Sequence, residues 1–313
     1  MSREREKPNA WQHFWTDGGG RKGAGCLPQR SDVVDAAQRA VWEGFARKLP
    51  TGASVLDVGT GGGIVLAWMA GTRSDLKLTG IDSAPSLPPS PKGTKLLSGI
   101  DMRKLPFPAH RFEAAVSQFG YEYGDAEATS IEIARVVKPG GHLLFLIHHS
   151  ASPIVSHNLA RREALLWPLM PGGYLERAKT FATHGMALGL PIPASFRAGI
   201  DEARQRYPAQ SVAAEIVTGI LQRLESGQRT PGGAGALLDQ LERSARGEAE
   251  RIALLGRAAH DRSRIEETAR QLVQAGFGEI VISTVPERST GQPLAWLLRG
   301  VLDGAVSGPG TSR

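Results

Sequence analysis

The feature that most constrains the fold of this chain is a strand that leads directly into a glycine turn and a helix. Residues 55–63 read VLDVGTGGG, and the apolar residues before the turn predict a short buried strand at 54–58. Gly59 and Gly61 allow a tight turn and let a ligand approach backbone N–H groups without interference from a Cβ atom. The helix that follows directs its positive end at the same place. The segment therefore predicts a ligand-binding turn in an α/β fold.

Strands and helices alternate on both sides of this turn. A helix begins at Ser31 and carries apolar residues at three- and four-residue spacing as far as Leu49. Further strands are predicted at residues 77–81, 95–100, 112–117, 142–147, 279–285 and 294–298, and further helices at 64–70, 126–137 and 264–275. Such alternation predicts a mostly parallel, Rossmann-like α/β sheet of about seven strands, with helices on both faces.

The alternation is interrupted between residues 151 and 260, where the sequence looks helical. Glycine- and proline-rich stretches predict loops inside this region at 168–173, 189–193 and 227–235. The sheet domain is therefore expected at 31–150 and 261–303, and 151–260 is expected to be a helical insertion that acts as a substrate lid. Residues 1–30 are expected to form a flexible segment or flap, and 304–313 a disordered tail.

The net charge of the chain indicates which kinds of partner it can bind. Lys and Arg number 37 against 31 Asp and Glu, which gives a net charge of +6. A basic balance can indicate nucleic acid, but here the excess is dispersed apart from Arg3, Arg5 and Lys7. A nucleic-acid partner is therefore disfavoured without being excluded. A small-molecule partner is favoured, and the oligomeric state is left open, with a homodimer as one option.

Cysteine usage and hydropathy indicate the compartment. Cys26 is the single cysteine, which excludes an intramolecular disulfide and a cysteine-based zinc site, and no metal is expected. The N-terminus lacks the apolar core of a signal peptide, and no uninterrupted apolar stretch approaches about 18 residues. We expect a cytoplasmic protein without a membrane span.

Two further carboxylates follow predicted strands beside the glycine turn. Asp82 ends the second strand, where a carboxylate can accept hydrogen bonds from both hydroxyls of a ribose. Asp101 follows the third strand and can accept a hydrogen bond from an adenine amino group. Three features at compatible strand ends are a stronger signal than a glycine motif alone.

Together these residues resemble the class I S-adenosyl-L-methionine (SAM)-dependent methyltransferases. The glycine segment matches their first motif, Asp-x-Gly-x-Gly-x-Gly. The run DMRKLPFPAHRFEAAVSQFGYEY at 101–123 and ARVVKPGG at 134–141 resemble the type 11 branch, which includes ubiquinone/menaquinone-type methyltransferases. The chain departs from that pattern at Glu113, where the family usually has Asp, and the 151–260 insertion lies outside the common core. No substrate can therefore be carried over.

The resemblance implies SAM as cofactor and S-adenosyl-L-homocysteine as product. Asp57 and Gly59 are expected near the methionine amino group, and Gly61 close to the cofactor backbone. The full set expected to bind SAM is Asp57, Gly59, Thr60, Gly61, Gly63, Asp82, Ser83, Asp101, Met102 and Gln118. A nicotinamide dinucleotide is the alternative cofactor. Folds that bind it typically use a Gly-x-Gly-x-x-Gly turn, whereas here the third glycine comes two residues after the second.

Candidate acid–base groups lie where the fourth and fifth strands end, because open α/β sheets bind ligands at their carboxyl edge. A histidine there can accept a proton from a phenol, hydroxyl or amine near neutral pH. The candidate catalytic residues are Tyr121, His148 and His149. Alternation along a strand places the two histidines on opposite sides, so one faces the pocket, and which one stays open. A structural or substrate-shaping role is the alternative for each.

Two apolar groups have two interpretations each. Trp11, His13 and Trp15 either belong to a flap over the cofactor or anchor the N-terminus to the domain. The insertion carries apolar residues that either line an acceptor pocket or form its core: Trp167, Met170, Tyr174, Phe181, Met186 and Phe196.

Three functions follow from this sequence. The first is methyl transfer to an oxygen, nitrogen or carbon centre of a small molecule, with the insertion forming the acceptor pocket. The second is RNA or protein methylation. It is weakened because QFGY at 118–121 replaces the Asn-Pro-Pro-Tyr-like segment of exocyclic-amine methylation, and no Pro-Cys pair is present for pyrimidine C5 attack. The third is a non-catalytic module that binds SAM or its demethylated product.

Overall fold

A computed structural model of the protein describes residues 32–227, 233–287 and 290–303. Its centre is a seven-stranded sheet. In chain order the strands are β1 (Ser54–Val58), β2 (Lys77–Ile81), β3 (Thr94–Leu97), β4 (Phe112–Gln118), β5 (Val137–His148), β6 (Val281–Pro286) and β7 (Pro293–Val301). The expectations for Trp11, His13, Trp15, Cys26 and the 304–313 tail lie outside the described residues.

The spatial order of the strands is β3-β2-β1-β4-β5-β7-β6. β1 to β5 are parallel to one another. β7 runs antiparallel to both β5 and β6. This mixed, mostly parallel sheet confirms the predicted Rossmann-like α/β fold. The chain reverses its direction of strand order beside β1 and β4, which is where sheets of this kind bind ligands.

Helices surround the sheet and fill the region between β5 and β6. They are α1 (Asp32–Ala46), α2 (Ile64–Thr72), α3 (Ala126–Val136), α4 (Pro153–Leu166), α5 (Tyr174–Thr180), α6 (Ser195–Arg206), α7 (Val212–Gly227), α8 (Gly233–Ala258) and α9 (Arg262–Gln274). Short 3-10 segments lie at Tyr121–Tyr123 and Trp167–Leu169, and a π-helical turn at Phe181–Gly185. Among the described residues, no helix has both the length and the apolar character needed to cross a membrane.

Alternate side chains of the strands enter two cores, one on each face of the sheet. Leu56 and Val58 of β1 pack in the core that also holds Ile133 of α3 and Ile265 of α9. Val55 packs in the opposite core, to which α1 and α2 contribute. The strands are therefore buried on both faces, as parallel sheets covered by helices are.

The chain forms two compact units. The sheet unit includes the residues up to Val155 and resumes at Leu255, and a helical unit occupies Ser156–Leu254. The transitions fall inside α4 and α8 and not at residues 150 and 261, because both helices continue through the boundary. The helical unit has its own core of aliphatic and aromatic side chains.

The apolar residues of the helical unit divide between that core and the surface. Tyr174 and Phe196 are buried in the core, and Trp167, Phe181 and Met186 pack against it. Met170 is 57% exposed. Most of the set proposed to line an acceptor pocket therefore contributes to packing.

Three element boundaries differ from the sequence prediction. β3 ends at Leu97, before Gly99, which has a positive φ of 69° and turns the chain. β5 begins at Val137 and not at residue 142, because Val137 already pairs with Phe112 across a register shift. Residues 233–235, predicted as part of a loop, begin helix α8. The rest of that loop, residues 228–232, lies outside the described residues.

Candidate functional site

The glycine turn follows β1 at the carboxyl edge of the sheet. Gly59 has a φ of 70°, which L side chains rarely adopt. A Cβ atom built at Gly59 would lie 2.7 Å from the Cα of Gly120, which follows β4. Thr60 N–H donates to Ile81 O at 2.9 Å and so ties the turn to the end of β2. The turn is thus wedged between two strand ends and leaves no room for a side chain at its first glycine.

We predict that Gly59→Ala will destabilise the protein far more than Gly52→Ala. Both glycines have a φ of 70°, so each alanine pays about 1–2 kcal/mol for a left-handed backbone. Nothing lies within 4 Å of a Cβ at Gly52, whereas Gly59 would also meet the Gly120 backbone. That overlap adds about 1–3 kcal/mol. Urea unfolding midpoints of the two variants measure the difference, and equal losses would contradict the close approach.

Asp57, the last but one residue of β1, is buried beside this turn. Its side chain is 1% exposed, and its Oδ2 accepts a hydrogen bond from Thr60 Oγ1 at 2.6 Å. Its other oxygen, Oδ1, has no hydrogen-bond partner among the described residues. Burial raises the pKa of Asp57 to about 7, the Thr60 bond opposes this, and the charge of Asp82 adds to it. A cation or an N–H donor brought to Oδ1 would stabilise the ionised carboxylate.

Asp82 lies one residue beyond β2, and the backbone fixes both of its oxygens. Oδ2 accepts from Gly61 N–H at 2.9 Å and Oδ1 accepts from Ala84 N–H at 2.9 Å. Burial raises its pKa, and these two hydrogen bonds oppose the shift. The neighbouring Ser83 is exposed. Asp82 is therefore a rigid, partly accessible acceptor at the edge of the glycine turn.

Asp101 lies in a different environment after β3. Its side chain is 49% exposed and pairs with Arg103 Nη2 at 2.7 Å. The hydrogen bond from Arg103 holds the pKa of Asp101 below its ordinary value. The side chain of Met102 packs against the core and approaches Gly124. Asp101 would have to share its oxygens between Arg103 and any adenine amino group.

Gln118, the last residue of β4, binds helix α1. Its Oε1 accepts a hydrogen bond from Trp42 Nε1–H, and its Nε2 donates to Gln38 Oε1 at 3.1 Å. Trp42 is fully buried and Gln38 is 6% exposed. These contacts orient Gln118 and attach α1 to the end of β4.

The histidine that ends β5 is paired with a carboxylate that follows β4. His148 is fully buried, and Glu122 Oε1 accepts hydrogen bonds from both its backbone N–H, at 3.0 Å, and its ring Nδ1, at 2.8 Å. The ring of Phe119 stacks on His148 with centroids 4.1 Å apart, and Tyr123 presents an edge at 6.2 Å. The sequence placed Glu122 after the fourth strand but gave no signal that it would reach His148.

His149 lies in a separate environment. Its ring stacks on Trp296 of β7 with centroids 4.4 Å apart, and its Nδ1 accepts Ala151 N–H at 3.0 Å. Partial burial lowers the pKa of His149. It is therefore a neutral imidazole near pH 7 that supports the turn after β5.

Tyr121 is part of the core. It is fully buried, and its hydroxyl contacts Ser130 Oγ at 2.7 Å and donates to Ala126 O at 3.0 Å. Burial raises its pKa to about 12. The hydroxyl is already satisfied inside α3, so the geometry gives no support to Tyr121 as a catalytic group.

We predict that Tyr121→Phe will lower stability without changing cofactor affinity. The variant keeps the ring, which packs 4.8 Å from that of Phe145, and loses the hydroxyl bonds to Ser130 and Ala126. The net loss should be about 1–2 kcal/mol in the free energy of unfolding. Thermal unfolding and SAM calorimetry on the same sample check both statements. A tenfold loss of SAM affinity at unchanged stability would restore a role for this hydroxyl in the site.

A comparison with protein families matches the part of the chain that contains these site residues. Residues 56–145 match a family model described as a methyltransferase domain. The match runs from β1 into β5 and so includes Asp57, Asp82, Asp101 and Glu122. No curated protein matches the sequence at a significant level.

Solved structures that resemble the chain include several methyltransferases at low identity. The complex between the Haloferax volcanii Trm112 methyltransferase activator and a methyltransferase matches at 14% identity and a TM-score of 0.45, over 97% of this chain and 100% of that one. A SAM-dependent methyltransferase from Thermotoga maritima matches at 12% and 0.43, over 94% and 99%. The CurJ carbon methyltransferase matches at 11% and 0.47, over 93% and 61%. At these values the similarities carry no information about the acceptor.

Proposed function

We propose that this chain, a class I SAM-dependent methyltransferase, transfers the methyl group to an oxygen, nitrogen or carbon centre of a small molecule. The observation that carries the proposal is the buried pair of Glu122 and His148 next to the glycine turn. Both side chains have no exposed surface. An acceptor that reaches groups so deeply enclosed has to be small, or has to present a thin reactive end.

The residues around the turn fit SAM. The unpartnered Oδ1 of Asp57 suits a cationic group such as the methionine amino group. Gly59 has a φ of 70° and packs against the Gly120 backbone, which holds the glycine turn at the carboxyl edge of the sheet where ligands bind. Asp82 offers a fixed carboxylate of the kind that binds ribose hydroxyls. We assign these three residues to SAM, together with Thr60, Gly61 and Gly63 of the same turn.

The remaining residues of the expected cofactor set receive weaker assignments. Asp101 and Met102 would border the adenine, and Gln118 would shape the site through its bonds to α1. SAM supplies a methyl group that is already electrophilic because it is bonded to a positively charged sulfur. The chain then has to orient the acceptor, exclude water and, where the acceptor needs it, remove a proton. His148 and His149 are the candidates for that last task.

We further propose that the helical insertion forms the acceptor pocket, as the sequence predicts. Cytoplasmic location and a homodimer stay predictions from the sequence. RNA or protein methylation is the second candidate; the net charge of +6 favours it, and the dispersion of that charge along the chain weakens it.

The test uses the full-length protein. Calorimetry with SAM and with S-adenosyl-L-homocysteine first measures cofactor binding. Methyl-labelled SAM is then incubated with the protein and, separately, a small-molecule extract, total RNA and a protein extract. Label in the small-molecule fraction supports the proposal. Label in RNA or protein alone would replace it with the second candidate, and cofactor binding without transfer to any fraction would favour the non-catalytic module.

A further inference from the structure

The helical unit contains a cleft of its own, with a volume of about 520 Å³. The residues that line it come from the end of α4, the turn after α4, α5 and α8, and they lie within residues 156–254. A volume of this size falls in the range of about 300–1,000 Å³ that is usual for sites that bind small molecules. The residues assigned to SAM, in contrast, belong to the sheet unit. The cleft is therefore a candidate for a second ligand site.

Part of the lining is apolar, and some of it is exposed to solvent. The apolar lining residues are Leu166, Leu169, Met170, Pro171 and Leu175. Leu169 and Leu175 are buried in the core of the helical unit, so their positions are fixed by packing. Met170 is 57% exposed, and its flexible side chain suits an adaptable apolar contact. The cleft therefore offers apolar surface that a ligand would remove from water.

The remaining lining residues are charged. They are Glu176 and Lys179 of α5 and Glu242 and Arg246 of α8. Glu242 joins the two cations, because its Oε2 accepts a hydrogen bond from Lys179 Nζ at 2.6 Å and its Oε1 accepts one from Arg246 Nε at 2.7 Å. Both oxygens of Glu242 are thus occupied, and both cations are held beside the cleft.

The two cations keep hydrogen-bond donors that the described residues do not use. Lys179 also pairs with Asp239 at 2.5 Å, so one of its three N–H groups has no partner among the described residues. Arg246 donates through Nε, and its two Nη groups have no partner among the described residues. Those two groups form a fork that matches the two oxygens of a carboxylate. Glu242 therefore orients a guanidinium whose outer fork is available.

We propose that this cleft binds an amphipathic carboxylate, with its apolar body against Met170 and its neighbours and its carboxylate on the Nη fork of Arg246. The two acidic and two basic lining residues cancel in charge. One added negative charge is therefore tolerated better than the two of a phosphate. The inference goes beyond the proposed function, because binding in the helical unit does not require methyl transfer.

A cationic ligand fits the cleft less well. Glu242 would have to release Lys179 or Arg246 in order to bind it. Glu176 is the other carboxylate of the lining, and its Oε2 already accepts Gly172 N–H at 2.8 Å. Glu176 is exposed, so water screens an ion pair at its second oxygen. The side chain of Arg246 is 55% exposed too, but the two-point bond of a guanidinium to a carboxylate is the surface ion pair that retains most strength.

The first test uses the full-length protein and alkyl ligands that differ only in head group or in length. Calorimetry at pH 7 measures the dissociation constants of octanoate, octylamine and decanoate below their micelle concentrations. We expect one octanoate per chain, and decanoate should bind roughly tenfold more tightly because two more methylene groups leave water. Octylamine should bind at least about tenfold more weakly than octanoate. Octylamine as tight as octanoate, or an affinity independent of chain length, would overturn the proposal.

The second test locates the site with matched variants. Arg246→Gln should weaken octanoate binding at least about tenfold, because it removes both the fork and its charge. Arg243→Gln changes an exposed arginine of the same helix outside the lining and should bind octanoate as the wild type does. Met170→Ser should weaken decanoate binding about threefold or more, whereas Leu188→Ser, at a side chain outside the lining that is 74% exposed, should not. Equal losses in a variant and its control would contradict the assignment.

Methionine labelled with ¹³C in its methyl group reports where the ligand lies in the unaltered protein. The NMR signal of Met170, assigned with Met170→Leu, should shift when decanoate is added. The signal of Met69, which is fully buried in the core of the sheet unit, should stay in place. A Met170 signal that does not move at saturating decanoate would overturn the proposal.

The outcomes separate this inference from the proposed function. The octanoate and decanoate titrations contain no SAM, so a chain that fails to bind SAM would lose the proposed function and keep this site. A chain that binds SAM and neither alkyl carboxylate would keep the proposed function and lose this site. Thermal unfolding of each variant shows that a loss of binding is not a loss of fold.

Discussion

Asp57→Asn is expected to stabilise the cofactor-free protein above pH 7 while it weakens SAM binding at least about tenfold, or 1.4 kcal/mol. Burial raises the pKa of Asp57 to about 7 from 3.8. The folded state therefore keeps a proton there that the unfolded state has already released. Stability contributed by that proton is fully present below about pH 4 and is lost as the pH rises through 7.

The size of the effect follows from the same pKa shift. A rise in the pKa of Asp57 from 3.8 to about 7 corresponds to at most about 4 kcal/mol of stability. The asparagine amide places a donor at the Oδ1 position, where Asp57 has no partner among the described residues, and this costs about 1–3 kcal/mol. We expect a net gain of about 2 kcal/mol in the free energy of unfolding at pH 8 and a net loss of about 2 kcal/mol near pH 4, where the wild-type carboxyl is protonated and only the cost of the amide remains. Urea unfolding at both pH values measures it.

The matched control is Asp125→Asn. Asp125 caps α3 through a hydrogen bond from Ala128 N–H, and asparagine caps a helix equally well. This variant should leave the SAM affinity unchanged. If Asp57→Asn lowers the free energy of unfolding at every pH, the ionised Asp57 carboxylate does not destabilise the folded protein in the way that its burial indicates. The wild-type affinity for SAM should also rise as the pH increases through 7, because only the ionised carboxylate attracts a cation.

Asp82→Ala is expected to weaken SAM binding more than tenfold, and Asp101→Ala less than about threefold. Both aspartates follow strands at the expected adenosine site. Asp82 is fixed by two backbone N–H groups, so its oxygens are already oriented before SAM arrives. Asp101 is half exposed and paired with Arg103, so a contact with an adenine amino group would replace an existing interaction and gain little.

Calorimetry with S-adenosyl-L-homocysteine measures both dissociation constants under the same conditions. Asp82→Ala also removes the acceptor for Gly61 N–H, so Asp82→Asn, which retains one acceptor oxygen, serves as the milder variant and should lie between wild type and alanine. An unchanged dissociation constant for Asp82→Ala would count against the ribose assignment. Equal losses of affinity in the two alanine variants would mean that Asp101 contributes as much to binding as Asp82. Replacing its ion pair with Arg103 by a contact with adenine would then cost little free energy.

Local sequence predicted the elements around the glycine turn with little error. β1 and β2 occupy the predicted residues, and α2 begins where the glycine turn ends. Their apolar periodicity and the glycine spacing are properties of neighbouring residues, so a window of sequence contains them. The start of β5 was misplaced because its first residues pair with β4 through a register shift around Glu113, which no local pattern reveals.

The candidate catalytic residues show the limit of local reasoning. Tyr121, His148 and His149 were grouped because each follows a strand that ends at the same edge. Their environments differ: Tyr121 is bonded inside α3, His149 stacks on Trp296, and His148 pairs with Glu122. The partner of each side chain comes from another element, and sequence spacing does not say which elements meet.

The sequence alone determined that this chain makes a parallel α/β sheet with a glycine turn and an acid after its second strand. These features depend on backbone sterics and on burial patterns within single segments. Three features depend on the tertiary fold: β7 inserts antiparallel between β5 and β6, Gly120 packs against Gly59, and Glu122 contacts His148. Those contacts join residues from separate strands, and their energies arise from packing and desolvation that exist only once the strands lie side by side.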